Sequence, residues 1–178
     1  DDGPADFASI QAAIADGSTV NGDEVVVQPG TYLEAIKFLG KAITLRSASG
    51  NPMDTIIDGN GAFHVVQCVN GEDSDTILEG FTITGGNANG SGFDDAGGGM
   101  FNNGASPTIT NCIFSGNWAE EGGGIRNGLH TSPTLTNCIL WGNGDSNGVG
   151  ESAQIFVDPN SESNAVFVTY SCIQGCST

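Results

Sequence analysis

Basic residues are nearly absent: four lysines and arginines stand against 21 aspartates and glutamates, for a formal charge of −17 over 178 residues. That balance repels nucleic acid, anionic membranes and uronic-acid polymers unless a cation intervenes, so no nucleic-acid partner is expected. Long apolar runs are also missing. Nothing approaches the roughly 20 residues needed to cross a bilayer, which argues against membrane insertion. The opening DDGPADF has neither the basic start nor the apolar run of a signal peptide, as expected of a mature or trimmed extracellular domain, or of a fragment of a longer secreted protein. Cysteine is too sparse for a dense disulfide framework. Cys68, Cys112, Cys138, Cys172 and Cys176 leave at least one thiol unpaired in a monomer.

Helical periodicity is confined to one place. In DFASIQAAIADG, Phe7, Ile10 and Ile14 fall on one stripe, with Asp6 as N-cap and Gly17 as a stop, which predicts a short capping helix over residues 6–17. Everything after it reads as short strands broken by Gly, Pro, Asn or Asp: EVVVQPGTY, AIKF, AITLRS, TIID and HVVQCV. With 28 glycines and 38% hydrophobic residues, an all-β repeat protein that spreads its core thinly is the economical solution.

The repeat is visible directly. SPTITNCIFSGN (106–117) and SPTLTNCILWGN (132–143) share nine of twelve residues at an offset of 26. Related starts at Thr76, Thr108, Thr134 and near Val168 give spacings that suit one helical coil per repeat. Alternation predicts Ile109, Cys112 and Phe114 inside, stacked on Leu135, Cys138 and Leu140, with Thr108, Thr110 and Ser115 outside. Asn111 with Asn137, and Asn117 with Asn143, are expected as polar ladders at corners, and the tracts Gly97–Gly99 and Gly122–Gly124 as unusual backbone or close approaches. About six coils at about 4.8 Å per rung make a rod of about 30 Å.

The stretches GGGMFNNGASPTITNCIFSGN and GGGIRNGLHTSPTLTNCILWGN resemble right-handed parallel β-helix proteins of the pectate-lyase-like superfamily, and specifically the polymorphic outer-membrane-protein repeats. That family pairs a GG-small-aliphatic stretch with FxxN. FSGN at Phe114–Asn117 matches, LWGN at Leu140–Asn143 departs at the aromatic, and GGGM and GGGI match loosely. The opening SIQAAIADGSTVNGDEVVVQPGTY resembles the helix-capped first coil of the same superfamily. The expected fold is therefore all-β: a right-handed single-stranded parallel β-helix, or β-solenoid, in one domain, with coils over residues 23–178 behind the capping helix.

Many relatives of that superfamily are polysaccharide lyases or glycoside hydrolases, but a fold does not carry an activity. A calcium-assisted lyase needs carboxylates around the metal and a nearby Arg or Lys as base. Only Lys37, Lys41, Arg46 and Arg126 are available, and Arg126, the sole cation of the repeat region, follows an acid pair that suits a surface ion pair. A hydrolase needs converging carboxylates, and the motifs that accompany such a pair in polygalacturonases are missing around Asp94 and Asp95. No catalytic residue is assigned.

Asp94 and Asp95 recur 26 residues later as Glu120 and Glu121, each pair ahead of a glycine tract. On adjacent coils these four carboxylates form a candidate Ca²⁺ site, the alternative being two solvated loops. Cys112, Cys138 and Cys172, in TNCI, TNCI and YSCI, predict a ladder of small buried side chains, and a Cys172–Cys176 bridge stays open. His64 and His130 sit in loop-like or strand-edge contexts without a nucleophile. Trp118 and Trp141 are sugar-stacking candidates if exposed. The Thr-x-Thr pairs at Thr82, Thr108 and Thr134 are too irregular for an ice-binding array.

Two function classes follow. The first is a noncatalytic extracellular or cell-surface structural or adhesive module; VTYSCIQGCST begins a coil without a sealing helix, so either more chain follows in the native protein or another molecule stacks there, as in a homo-oligomer or filament built through open β-helix ends. The second is a carbohydrate-active protein, a lyase or a binding module, that engages polysaccharide in a lateral groove.

Overall fold

The computed structural model describes residues 7–161 and 164–175. Its strands are all short and all parallel to their neighbours, and all but the pair Asn87–Ala88 and Trp118–Ala119 stack on three faces of a solenoid. The first face stacks Glu24–Val27, Thr44–Ser47, Ile77–Glu79, Thr108–Thr110, Thr134–Thr136 and Phe167–Thr169. The second stacks Gly30–Leu33, Thr55–Asp58, Thr82–Thr84, Ile113–Ser115, Ile139–Trp141 and Cys172–Ile173. The third stacks Ile36–Lys37, Val66–Cys68, Met100–Asn102, Ile125–Asn127 and Ile155–Val157. Against the six or so coils expected, five complete circuits are made and a sixth is begun.

Each face sends one row of side chains inward. On the first, Leu45, Leu78, Ile109 and Leu135 are fully buried and stacked in register. On the second, Ile57, Ile83, Phe114 and Leu140 do the same. Cys112 and Cys138 lie at the corner between these two faces, buried as expected. Because no coil can cover its own apolar edge, cohesion comes from the neighbouring rung.

The repeated cassette is thus two strands around a bend. Asn111 and Asn137 make it with φ of 53° and 54°, and Gly80 occupies the same corner one coil earlier with φ of 80°. The left-handed region is strained for most residues, and Asn tolerates it because its short amide bonds locally. Here that amide also bonds along the stack, Asn137 Nδ2 to Asn111 Oδ1 at 3.3 Å and Asn111 Nδ2 to Glu79 Oε1 at 3.3 Å.

The cysteine ladder has two members, not three. Thr136 pairs with Thr169 and Ile139 with Cys172, so Ser171 takes the position of Cys138 and the Cys172 side chain is exposed on the outer surface. The last coil carries one more residue before its cysteine than the likeness of TNCI to YSCI implies. Cys176 lies outside the described residues.

Helix α1 spans Ile10–Ala15, shorter than the 6–17 expected. Ser9 is its N-cap, its hydroxyl accepting from Ala12 N at 3.1 Å, whereas Asp6 lies outside the described residues. Phe7 is exposed, so the buried stripe begins at Ile10. Glu34 accepts from the backbone N–H groups of Ile10 and Gln11, both at 2.9 Å, and Lys41 Nζ donates to the Ile14 and Asp16 carbonyls at 2.6 and 2.8 Å. An anion at the start and a cation at the end oppose the helix dipole and fasten the cap to the first coil. A second, one-turn helix α2 (Glu151–Gln154) interrupts the fifth coil.

Candidate functional site

Charged and aromatic side chains gather on the third face. Its outward row runs Lys37, Gln67, Phe101, Arg126, Phe156, one residue per rung. Beside this row the third coil is enlarged: Met100 follows Asn87 by thirteen positions, whereas Ile125 follows Trp118 by seven. The surplus forms a 3₁₀ turn, Gly92–Asp95, that overhangs the face. Beneath it lies a recess of about 690 Å³ lined by Ser91, Asp95, Glu120, Glu121 and Arg126, with Gly90 and Gly92.

The acid pairs do meet at this edge, but out of step. The cassette strands stack at an offset of 26, whereas Met100 stacks on Ile125 and Ala96 on Glu121, at 25. Glu120 N accordingly donates to Asp95 O at 2.7 Å, and Gly97 N to Glu121 O at 3.0 Å. Glu121 turns to Arg126, with Nε to Oε2 at 3.3 Å. Asp94 is exposed and reaches His64, with Nε2 to Oδ1 at 3.8 Å. Two of the four carboxylates therefore face cationic or imidazole partners, and no group of three His, Cys, Asp or Glu side chains converges as a metal site among the described residues.

Arg126 is held more firmly than a surface ion pair requires. Its side chain is 12% exposed and its Nη2 lies 3.2 Å from Asp158 Oδ2, on the following coil. Its guanidinium stands 5.6 Å from the centre of the Phe101 ring and 5.9 Å from that of Phe156, in cation–π range of both rungs. The Asn160 backbone N–H, with Arg126 beside it, holds the Asp158 carboxyl below the usual carboxylate range. No local motif marks Phe101, Phe156 or Asp158, because only the register of three successive rungs brings them to Arg126.

His64, expected to be incidental, is buried under this assembly. Its Nδ1 lies 3.1 Å from the Gly97 carbonyl and its ring stacks on Phe101 at 4.9 Å. Burial pushes its pKa below the ordinary 6.5, while the Gly97 carbonyl and Asp94 oppose that fall. His130 is exposed, at a left-handed corner with φ of 57°.

The glycine tracts serve both expected purposes. Gly97 and Gly122 have φ of 71° and 63°. Gly98 and Gly123 are there for closeness: a Cβ on Gly98 would strike the Trp118 carbonyl, and one on Gly123 the Gly144 carbonyl. Among the other candidates, Trp141 is 54% exposed on the second face and Trp118 is half-buried. Burial pushes the Cys112 thiol well up and the Cys138 thiol up, and both donate to backbone carbonyls, which makes them inert packing groups. Thr82 and Thr84 stand on the second face and the pairs at Thr108 and Thr134 on the first, so they form no single array.

What the fold and this face define is a parallel β-solenoid with an acidic lateral recess. No protein-family model matches the chain, and neither a curated protein nor a solved structure matches it.

Proposed function

We propose that the chain is a noncatalytic extracellular or cell-surface β-helix module with a structural or adhesive role, of the pectate-lyase-like kind and akin to the polymorphic outer-membrane-protein repeats. The observation that carries this reading is the commitment of Arg126. Its guanidinium is paired with Glu121 and Asp158 and packed between Phe101 and Phe156, so it ties three coils together. A base for proton abstraction needs an unpaired form and a path to substrate. Lys41 and Arg46 are likewise engaged, on helix α1 and on Glu24, while the exposed Lys37 stands three rungs from Arg126 on the third face.

The test is a panel of neutral and acidic polysaccharides, with and without Ca²⁺, assayed for unsaturated or reducing-end products. No turnover is expected. An unsaturated product that disappears in Arg126→Ala overturns the reading.

The second reading, a carbohydrate-active protein, is favoured by the recess itself. A volume of about 690 Å³ flanked by Asp95, Glu120 and Glu121 is the right size for a short sugar segment, and its carboxylates accept hydroxyl hydrogen bonds. Its polyanionic rim favours neutral over uronic-acid polymers unless Ca²⁺ bridges them. Binding without turnover in the same panel supports a lectin-like version of this role.

A further inference from the structure

We propose that Asn70–Gly71 is a site of self-modification, where the folded chain converts its own asparagine side chain to aspartate or isoaspartate and thereby loosens the corner held by Glu72. The inference stands apart from the scaffold reading and goes beyond it.

Asparagine is a chemically labile residue, and a following glycine makes it most so, because no Cβ stands beside the nitrogen that must attack. The chain has eight such pairs, from Asn21–Gly22 to Asn147–Gly148. In seven of them the glycine N–H donates to a backbone carbonyl at 2.8–3.0 Å. Gly22 bonds to Ala42 O and Gly61 to Gly85 O on neighbouring coils, while Gly90 and Gly148 close turns onto Asp94 O and Asp145 O. A hydrogen-bonded amide is protected until the local structure opens.

Gly71 is the exception. Among the described residues its N–H has no hydrogen-bond acceptor, the Asn70 side chain makes no hydrogen bond, and both residues are exposed. Hydroxide takes the Gly71 N–H proton, and the nitrogen attacks Asn70 Cγ to close a succinimide ring. The Cγ–Nδ2 bond breaks, and the amide nitrogen takes a proton from water and leaves as ammonia, which regenerates hydroxide. Water then opens the ring at one carbonyl to give aspartate, or at the other to give isoaspartate.

The surroundings make the change consequential. Asn70 N donates to Glu72 Oε2 at 2.8 Å, and Gly40 N on the preceding coil donates to Glu72 Oε1 at 2.8 Å. Ser106 N, on the following coil, donates to Glu72 O at 2.7 Å. Glu72 is 3% exposed, so one buried residue joins three coils at this corner. A new carboxylate two positions away repels that of Glu72, and isoaspartate lengthens the main chain by a methylene inside the clamp.

Ageing the full chain at mildly alkaline pH, folded and in urea, with peptide mapping and ammonia release as readouts, tests the proposal. In urea all eight pairs are expected to convert at comparable rates. In the folded chain Asn70 is expected to lead every other pair by about tenfold or more. Asn70→Gln, at an exposed position and with a side chain too long to close the same ring, should release no early ammonia. The converted fraction, separated by its added negative charge, is expected to melt below the unconverted chain. Conversion led by another pair, or an Asn70 that persists in the folded chain while the unfolded chain converts, overturns the site. Equal melting temperatures for the two fractions overturn the loosening of the Glu72 corner.

Discussion

The Asn143 Oδ1 atom accepts from Asn117 twice, from its backbone N at 3.1 Å and from its side-chain Nδ2 at 3.0 Å. The pair is fully interior, and Asn143 Nδ2 in turn donates to the Phe114 carbonyl at 2.9 Å and to Gln154 Oε1 at 2.8 Å. One amide thus satisfies four groups on two coils. Leaving them buried without partners costs about 1–3 kcal/mol each. Asn143→Ala is expected to lose about 3 kcal/mol or more in urea unfolding, and Asn143→Asp a comparable amount because a charge replaces the amide. A loss below about 1 kcal/mol would show that water reaches this corner.

Gly98 and Gly123 predict a different kind of failure. Each stands where a methyl group meets a carbonyl of the adjacent coil, so the rungs must separate to accept it. Gly98→Ala is expected to destabilise by about 3 kcal/mol, beyond any gain from helix or strand propensity. By contrast Gly17→Ala meets nothing within 4 Å, and its melting temperature should match that of the parent within about 2 °C.

The corner asparagines respond to backbone conformation. Asn137, with φ of 54°, should accept glycine at little cost, whereas Asn137→Val is expected to lose about 1–2 kcal/mol in the same assay. Equal stability of the two variants would mean that the corner relaxes out of the left-handed region.

Two acid windows follow from the ionisable groups. His64 has its pKa lowered by burial, so the unfolded chain takes up its proton first, and stability falls as pH drops below about 6.5 until the folded form titrates. Asp94 and Lys37 are the charges facing it, of opposite effect. His64→Gln should lose less stability between about pH 7 and about pH 5 than the parent. Asp158 and Glu24 have their carboxyls lowered, by Asn160 and Arg46 first, and contribute stability that disappears only at lower pH, through the carboxylate range. Identical profiles for parent and His64→Gln between pH 7 and 5 would remove the first window.

If Ca²⁺ binds at the expected edge of Asp94, Asp95, Glu120 and Glu121, then with Asp94 on His64 and Glu121 on Arg126 it falls to Asp95 and Glu120, which adjoin through one backbone hydrogen bond. A weak extracellular-type site of about 1 mM affinity would add about 1.4 kcal/mol at about 10 mM Ca²⁺, a rise of about 3–5 °C. That rise should vanish in Glu120→Gln. Equal melting temperatures in chelator and in Ca²⁺ remove the site.

The two cassettes were legible because each inward position is apolar and each corner needs Asn or Gly; Ile109 over Leu135 follows from alternation alone. The third face is not, because its offset of 25 breaks the cassettes' period of 26 and sets Glu120 beside Asp95 and Glu121 beside Ala96. Aligning YSCI by its cysteine rather than by its strand misplaced Cys172 for the same reason. The surroundings of Arg126 come from residues on three different coils, and no local motif marks Phe101, Phe156 or Asp158 as neighbours. The capping helix was visible as a stripe, but the choice of Ser9 depends on Glu34 arriving from the first coil to hold the N-terminus.

The mismatch between 25 and 26 has to be absorbed somewhere, and it is absorbed at one corner. Leu129 still matches Gly104, with Gly104 N to Leu129 O at 2.9 Å, yet Ser132 matches Ser106, so the additional residue is spent at the left-handed His130 bend. The rungs on either side keep their register. A stack that takes up an added residue at one elbow keeps its inward rows aligned, so the length of a coil's perimeter and the packing of its interior are set by different residues.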